Sequence, residues 1–195
     1  MPDIGYGDLE NTPQIGVVSQ SGGLGTDIIR RGRARGVKFS ALVTVGNCAD
    51  VTPTEFVDYY FADPQTHVIG LYLETARDGR RLFELLSAKK ATKPVVILKG
   101  GRTQQGLAAA ASHTGSLAGD DRVWIALSKQ TGCVLVDTLD QFVDTLVLFQ
   151  SVKPNAAHAT KRVTLFGNGG GTSVLATDYF ARLGLDVMPF EQKAI

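Results

Sequence analysis

"IGVVSQSGGLGTDIIRRGRARG", residues 15–36, decides how the chain is read. "IGVVSQ" is a short apolar run rich in β-branched residues, the pattern of a strand. Glycines and serines break it at "SQSGGLGTD", and "GTDIIRRGRARG" then carries apolar residues at helical spacing and ends in glycine. One strand, one Gly-rich turn and one helix are therefore predicted in immediate succession. The same unit recurs downstream. "FSALVTVG", "VIGLYLE", "PVVILKG" and "CVLVD" read as strands, and "PTEFVDYYFAD", "RRLFELLSAKKA", "DRVWIALSKQTG" and "LDQFVDTLVLFQ" read as helices between and after them. The strand runs are continuous rather than alternating, as they must be when a parallel sheet is covered on both faces. Residues 13–152 are thus expected to form an α/β domain, a doubly wound five-stranded parallel sheet of flavodoxin-like order.

Beyond that domain the pattern changes. "SVKPNAAHATKR" contains a proline among small polar residues, so 153–161 reads as a linker. "RVTLFGNGGGTSVLATDYFARLGLDVMPF" then repeats strand, Gly-rich turn, helix and strand, so 162–195 reads as the truncated start of a second α/β unit. Residues 1–12 are polar and turn-rich and are expected to be a linker from a missing upstream domain.

The bulk properties narrow the function. The chain has 195 residues, 44% of them hydrophobic and 20% charged, with a formal net charge of +1. That composition suits a soluble domain with its own core and gives no global attraction to nucleic acid or to an acidic membrane. No apolar run reaches membrane-spanning length and no signal-peptide pattern opens the sequence, so a cytoplasmic setting is expected. Cys48 and Cys133 lie far apart without metal-ligand spacing and are expected to pack as free thiols beside strands. No metal site is read from the chain.

Three features carry chemistry. The turn at Ser21, Gly22 and Gly23 places backbone N–H groups at a helix N-terminus, where an anion is favoured, and Asn168, Gly169 and Gly170 repeat the device in the second unit. If the two units face each other, both helix ends could converge on one phosphoryl group. "QQGLAAAASHTGSLAG" surrounds His113 with small residues. It reads either as an Ala-rich helix whose end carries a histidine or as a loop free to move, in which a neutral imidazole nitrogen can attack phosphorus. Glu74 ends the strand "VIGLYLE" at the ligand-binding edge of such a sheet, where its carboxylate could fix the histidine tautomer. Other motifs have plainer readings. "RRGRARG" is a basic helix end, "DGRR" at residues 78–81 caps a helix, His67 and His158 lie in polar loops, and Trp124 belongs to the core.

Taken together, "GVVSQSGGLG", "GNCADV", "YLETARDGRR", "PVVILKGGRT" and "SHTGSLAG", in that order, resemble the nucleoside-diphosphate-forming acyl-CoA synthetases, the superfamily that includes succinyl-CoA synthetase and ADP-forming acetyl-CoA synthetase. "FGNGGGTSVLATDYFARLGL" resembles the start of that superfamily's next domain. The resemblance implies an acid–thiol ligase in which phosphate passes between an acyl phosphate and ADP or ATP through a phosphohistidine on a swinging loop. On that likeness His113 is the phosphorylated residue and Glu74 steadies its ring. Ser21, Gly22 and Gly23 open one phosphate-facing helix, and Asn168, Gly169 and Gly170 open the other. Asn47 and Asp50 of "GNCADV" match a further motif and are secondary candidates. CoA and ATP or ADP with Mg would be bound mainly by a CoA-binding domain and an ATP-grasp domain that this sequence does not contain, with phosphate bound here. The isolated chain is then expected to be inactive. A small carboxylic acid is the implied substrate, and homo-oligomerisation is left open. The alternatives are a ligand-sensing domain of a protein acetyltransferase and a non-catalytic homologue.

Overall fold

The computed structural model describes residues 12–90, 92–114, 120–153, 160–167 and 169–189, with 111–114 described through their backbone only. Two compact units divide the chain, Met1–Pro154 and Asn155–Ile195.

The first unit alternates strands and helices in the expected order. It runs β1 (Gln14–Ser19), α1 (Gly22–Ala34), β2 (Phe39–Thr44), α2 (Pro53–Ala62), β3 (Thr66–Leu73), α3 (Gly79–Ala88) and β4 (Val95–Lys99). Then come α4 (Gln104–Thr114), α5 (Asp121–Thr131), β5 (Val134–Val136) and α6 (Leu139–Ser151). All strand pairs are parallel and the sheet order is β2-β1-β3-β4-β5, the flavodoxin-like arrangement. Among the described residues no helix is long and apolar enough to cross a membrane.

Burial explains why the strand sequences are continuously apolar. Ile69, Leu71 and Leu73 of β3 face one side and meet Tyr60 of α2, Leu82 and Leu86 of α3 and Trp124 of α5. Val68 faces the other, where Ile15, Val17 and Ile28 join Phe142 and Leu146 of α6. Both faces are therefore dry, as the sequence pattern requires. Gly70, in the centre of β3, lets α6 come close: a Cβ there would lie 2.9 Å from Cζ of Phe142. Trp124 is buried, and Cys48 and Cys133 are buried free thiols, as expected.

Of the two readings of the stretch around His113, the described backbone takes the Ala-rich helix, from Gln104 to Thr114. Alanine has the highest helix propensity of all residues, and four successive alanines outweigh the glycine at 106. His67 is the second residue of β3 rather than part of a loop, with an exposed ring that contacts the Gln65 carbonyl. Asp78 occupies the N-cap position of α3 but makes no capping bond; its carboxylate accepts from the Thr52 hydroxyl at 2.9 Å instead. The basic end of α1 has a structural role: Arg31 and Arg35 both pair with Asp140 of α6.

In the second unit, β6 (Arg162–Val163) pairs in parallel with β7 (Asp186–Val187), and α7 (Gly170–Arg182) connects them. No residue of α7 is buried, and Val174, Leu175 and Tyr179 are exposed.

Candidate functional site

The site is built at the carboxyl ends of β1, β3 and β4. Where β1 stops, the Ser19 hydroxyl donates to the Ser21 carbonyl at 2.7 Å and accepts from the Ser21 amide at 3.2 Å. This turn sets Ser21 as the N-cap of α1, where its own hydroxyl accepts from the Leu24 amide. Gly22 and Gly23 follow as the first helical residues. Their amides have no intrahelical carbonyl to reach, as at any helix start. Nothing lies within 4 Å of where a Cβ would stand at either position, and neither has a positive φ. The fold itself therefore does not need glycine at Gly22 or Gly23, and each glycine costs roughly 0.5–1 kcal/mol against alanine within a helix. A helix start without side chains leaves its backbone open to close approach at a partly positive helix end.

Glu74 follows β3 directly and is buried. Its carboxylate accepts from the Tyr72 hydroxyl at 3.1 Å, and burial, followed by the neighbouring carboxylate, pushes the Tyr72 phenol up to about 12. The backbone around Glu74 is held from both sides. Gln20, buried just past β1, accepts through Oε1 from the amides of Glu74 and Thr75, and donates through Nε2 to the Thr75 carbonyl at 2.9 Å. From the opposite side, Lys99 at the end of β4 donates to the Glu74 carbonyl at 2.8 Å and to the Gly100 carbonyl. Lys99 is only 4% exposed, its ammonium stands 5.5 Å from the Trp124 ring centre, and burial lowers its pKa. Glu74 is thus a carboxylate on a rigid peptide, one strand from the glycine amides of α1.

Gln20 also reaches the loop after β2, where its Nε2 donates to Sγ of Cys48 at 3.2 Å. Cys48 has a φ of 55°, a left-handed conformation that is rare outside glycine and asparagine. Asn47 and Asp50, in the same loop, are exposed.

His113 is the penultimate residue of α4. Its side chain and residues 115–119 lie outside the described residues, as do Asn168 and His158. What the structure shows is how the segment is anchored. Arg102, just after β4, grips Asp121 through Nε and Nη2, with the Nη2 contact at 3.2 Å, and reaches Asp137 through Nη1. One ion-paired point thus joins the chain just before α4 to the first residue of α5. In the second unit Gly169 is the N-cap of α7 and Gly170 its first residue.

Sequence reasoning missed Gln20, Tyr72, Lys99 and Arg102. A lysine ending the apolar run "VVILK" at the ligand edge was a usable signal. The role of Gln20 comes only from β1 and β3 being neighbours. Among the described residues no group of three or more His, Cys, Asp or Glu side chains is placed to hold a metal ion.

Comparison with known proteins gives the lineage. Residues 12–149 match the family described as the succinyl-CoA ligase like flavodoxin domain. The alpha subunit of an ADP-forming acetate–CoA ligase II from Pyrococcus furiosus is 37% identical over 183 residues, covering 93% of this chain and 39% of that protein. An ADP-forming 4-hydroxybutyrate–CoA ligase from Nitrosopumilus maritimus is 36% identical over 87% of this chain and 25% of its own length. Among solved structures, the dinucleotide forming acetyl-coenzyme A synthetase 1 of Ca. Korarchaeum cryptofilum, in complex with phosphate and ADP, superposes with a TM-score of 0.82 at 32% identity, covering 90% of this chain and 38% of that one. The chain thus spans between a quarter and two fifths of the length of these relatives. The first unit's sheet order, the glycine-opened α1 and the extent of the match agree: the chain belongs to the succinyl-CoA ligase like flavodoxin domain family.

Proposed function

We propose that this chain is the phosphoryl-carrying part of an NDP-forming acyl-CoA synthetase, with His113 as the group that accepts and releases phosphate. The observation that carries the reading is the doubly pinned Glu74 peptide together with the start of α1, where nothing stands within 4 Å of a Cβ position at Gly22 or Gly23. A carboxylate held this firmly suits the orienting of an imidazole. A helix start with bare glycines suits a phosphoryl group.

The chemistry divides into three balanced steps. Phosphate oxygen attacks the acyl-CoA carbonyl, giving an acyl phosphate and releasing the CoA thiol. A ring nitrogen of His113 then attacks phosphorus, forming an N–P bond as the P–O bond to the acyl group breaks and the carboxylic acid leaves as its anion. ADP finally takes the phosphoryl group from the histidine, giving ATP and free imidazole. Glu74 accepts the N–H of the second ring nitrogen, which fixes the tautomer and balances the charge that builds on the ring during attack. Tyr72 occupies one acceptor site of the roughly four on that carboxylate, which keeps its plane in place. Ser21 holds the start of α1 so that the amides of Gly22 and Gly23 face the anion. Asn168, Gly169 and Gly170 are assigned the equivalent duty at α7, with Asn47 and Asp50 as secondary contacts. CoA, the nucleotide and its Mg are assigned to a CoA-binding part and an ATP-grasp part of the complete protein, in the cytoplasm, and the isolated chain is assigned no turnover.

Incubating this chain with those partner domains and ATP labelled at the γ-phosphate should give acid-labile, alkali-stable label. His113→Ala should abolish it. Label that survives that substitution removes His113 from the mechanism, and no label in the wild type under ligating conditions favours a ligand-sensing domain.

A further inference from the structure

A second site lies on the outer side of the Glu74 peptide. Between α3 and α5 the first unit holds a cavity of about 490 Å3, within the range of small-molecule sites. Leu82, Phe83, Trp124 and Leu127 give it apolar walls. Its polar character is one-sided. Lys99, Arg77 and Arg80 line it, and among the described residues no aspartate or glutamate does. Arg80 is exposed and turned toward Glu84, so it contributes least. The Arg77 guanidinium is held near the cavity by a long contact to the Cys48 carbonyl, 3.5 Å.

Lys99 makes the cavity more than a gap between helices. Its ammonium is buried and carries three N–H bonds. The carbonyls of Glu74 and Gly100 take two of them, and no oxygen among the described residues takes the third. A buried ammonium with an unfilled donor, which the Glu74 and Asp121 carboxylates act on without lining the cavity, stands against an apolar hollow that fits one kind of occupant: an anionic head of one carboxylate on a compact apolar body. A free phosphate would leave the apolar walls wet, and a neutral hydrocarbon would leave the donor unmet.

We propose that this cavity binds a monocarboxylic acid with an aryl or branched aliphatic tail, its carboxylate on Lys99 and Arg77 and its tail against Trp124, Leu82 and Leu127. Thr75 and Ala76, the residues after Glu74, also line the cavity, and Lys99 holds the Glu74 carbonyl. Occupancy is therefore felt one peptide away from the carboxylate assigned to His113. The binding itself does not depend on the phosphohistidine reading.

The chain has one tryptophan, and it forms the cavity wall, so its fluorescence reports occupancy directly. Titration with phenylacetate should give a saturable change. Acetate, which lacks the tail, and 2-phenylethanol, which lacks the charge, should each bind at least about tenfold more weakly, the scale of one charge-assisted contact. Arg77→Gln should weaken phenylacetate severalfold, and Ala126→Phe should fill the cavity and abolish the response. Lys99→Met should erase the preference for acid over alcohol. Should that buried variant fail to fold by circular dichroism, the exposed Arg77→Gln change and the 2-phenylethanol comparison still decide the matter. No saturable response to phenylacetate, or equal responses to acid and alcohol, overturns the proposal. With the partner domains present, an acid consumed with a KM that Ala126→Phe raises is a substrate; one that alters the rate without being consumed is a regulator. Because the readout needs no phosphoryl transfer, its failure and a failure of the His113 labelling are separate results.

Discussion

Gln20 shows how much one side chain can arrange. It sits just past the end of β1, and its amide meets two backbone donors and one backbone acceptor of the Glu74–Thr75 segment. Gln20→Leu keeps the volume but leaves those groups without partners, at about 1–3 kcal/mol for each that water does not reach. A loss of about 3 kcal/mol in urea unfolding is expected. Gln20→Glu, which still offers oxygen to both amides, should lose less. A Gln20→Leu variant as stable as the wild type would show that volume rather than hydrogen bonding sets the requirement. None of this was legible in the sequence, because a glutamine after an apolar run declares no partner until the strand order brings Thr75 beside it. The positions of Glu74 and of the Ser21–Gly23 turn were legible, since each directly follows an apolar strand run. Lys99 had the same signal, but its burial and its bond to Glu74 required the β3–β4 register.

Elements were easier to read than residues. Each strand of the first unit is a continuous apolar run because both faces of the sheet are covered, and the helices between them fix the parallel, doubly wound order. The stretch left open was α4. Alanine and glycine dilute the apolar periodicity by which helices are recognised, although alanine itself favours the helix. Glycine also meant different things in different elements, and substitution separates them. Gly70→Ala places a methyl 2.9 Å from the Phe142 ring and should cost about 1–3 kcal/mol in thermal or denaturant unfolding through overpacking of α6 against β3. Phe142→Leu in the same chain should recover part of that. Gly22→Ala meets open space and should be neutral or stabilising by up to about 1 kcal/mol, while narrowing the approach to the α1 amides. A large loss of stability in Gly22→Ala would mean that its glycine serves the fold.

At the scale of the whole molecule, buried phenols set the alkaline limit. The Tyr60 hydroxyl donates to the Val17 carbonyl inside the core, and burial pushes its pKa up to about 12; Tyr72 is raised to about the same value. An unfolded tyrosine ionises near 10. The raised folded value means that the stabilisation is complete below pH 10 and is lost as pH climbs from about 10 toward 12. In that window the unfolded chain has already released the proton and the folded chain has not. The buried Tyr60 phenol then removes at most about 1.4 kcal/mol per pH unit, and the partly buried Tyr72 less. Lys93 and Lys99, both lowered by burial, act in the opposite sense and gain stability as pH rises toward the ordinary lysine range. Comparing the wild type with Tyr60→Phe cancels the lysines. Their stability difference should be constant up to about pH 9.5 and should fall by roughly 1 kcal/mol at pH 11. A flat difference across that range would show that water reaches the phenol. The ion pair between Arg102 and Asp121 has a geometric consequence of its own. It acts as a tether post, and of the two lengths of chain leading from it to His113 the shorter, residues 114–121, reaches at most roughly 26–29 Å when drawn straight. On the proposed function that span is a boundary: a phosphate acceptor farther than this from Asp121 would have to be carried toward the imidazole, or the ion pair at Arg102 would first have to open.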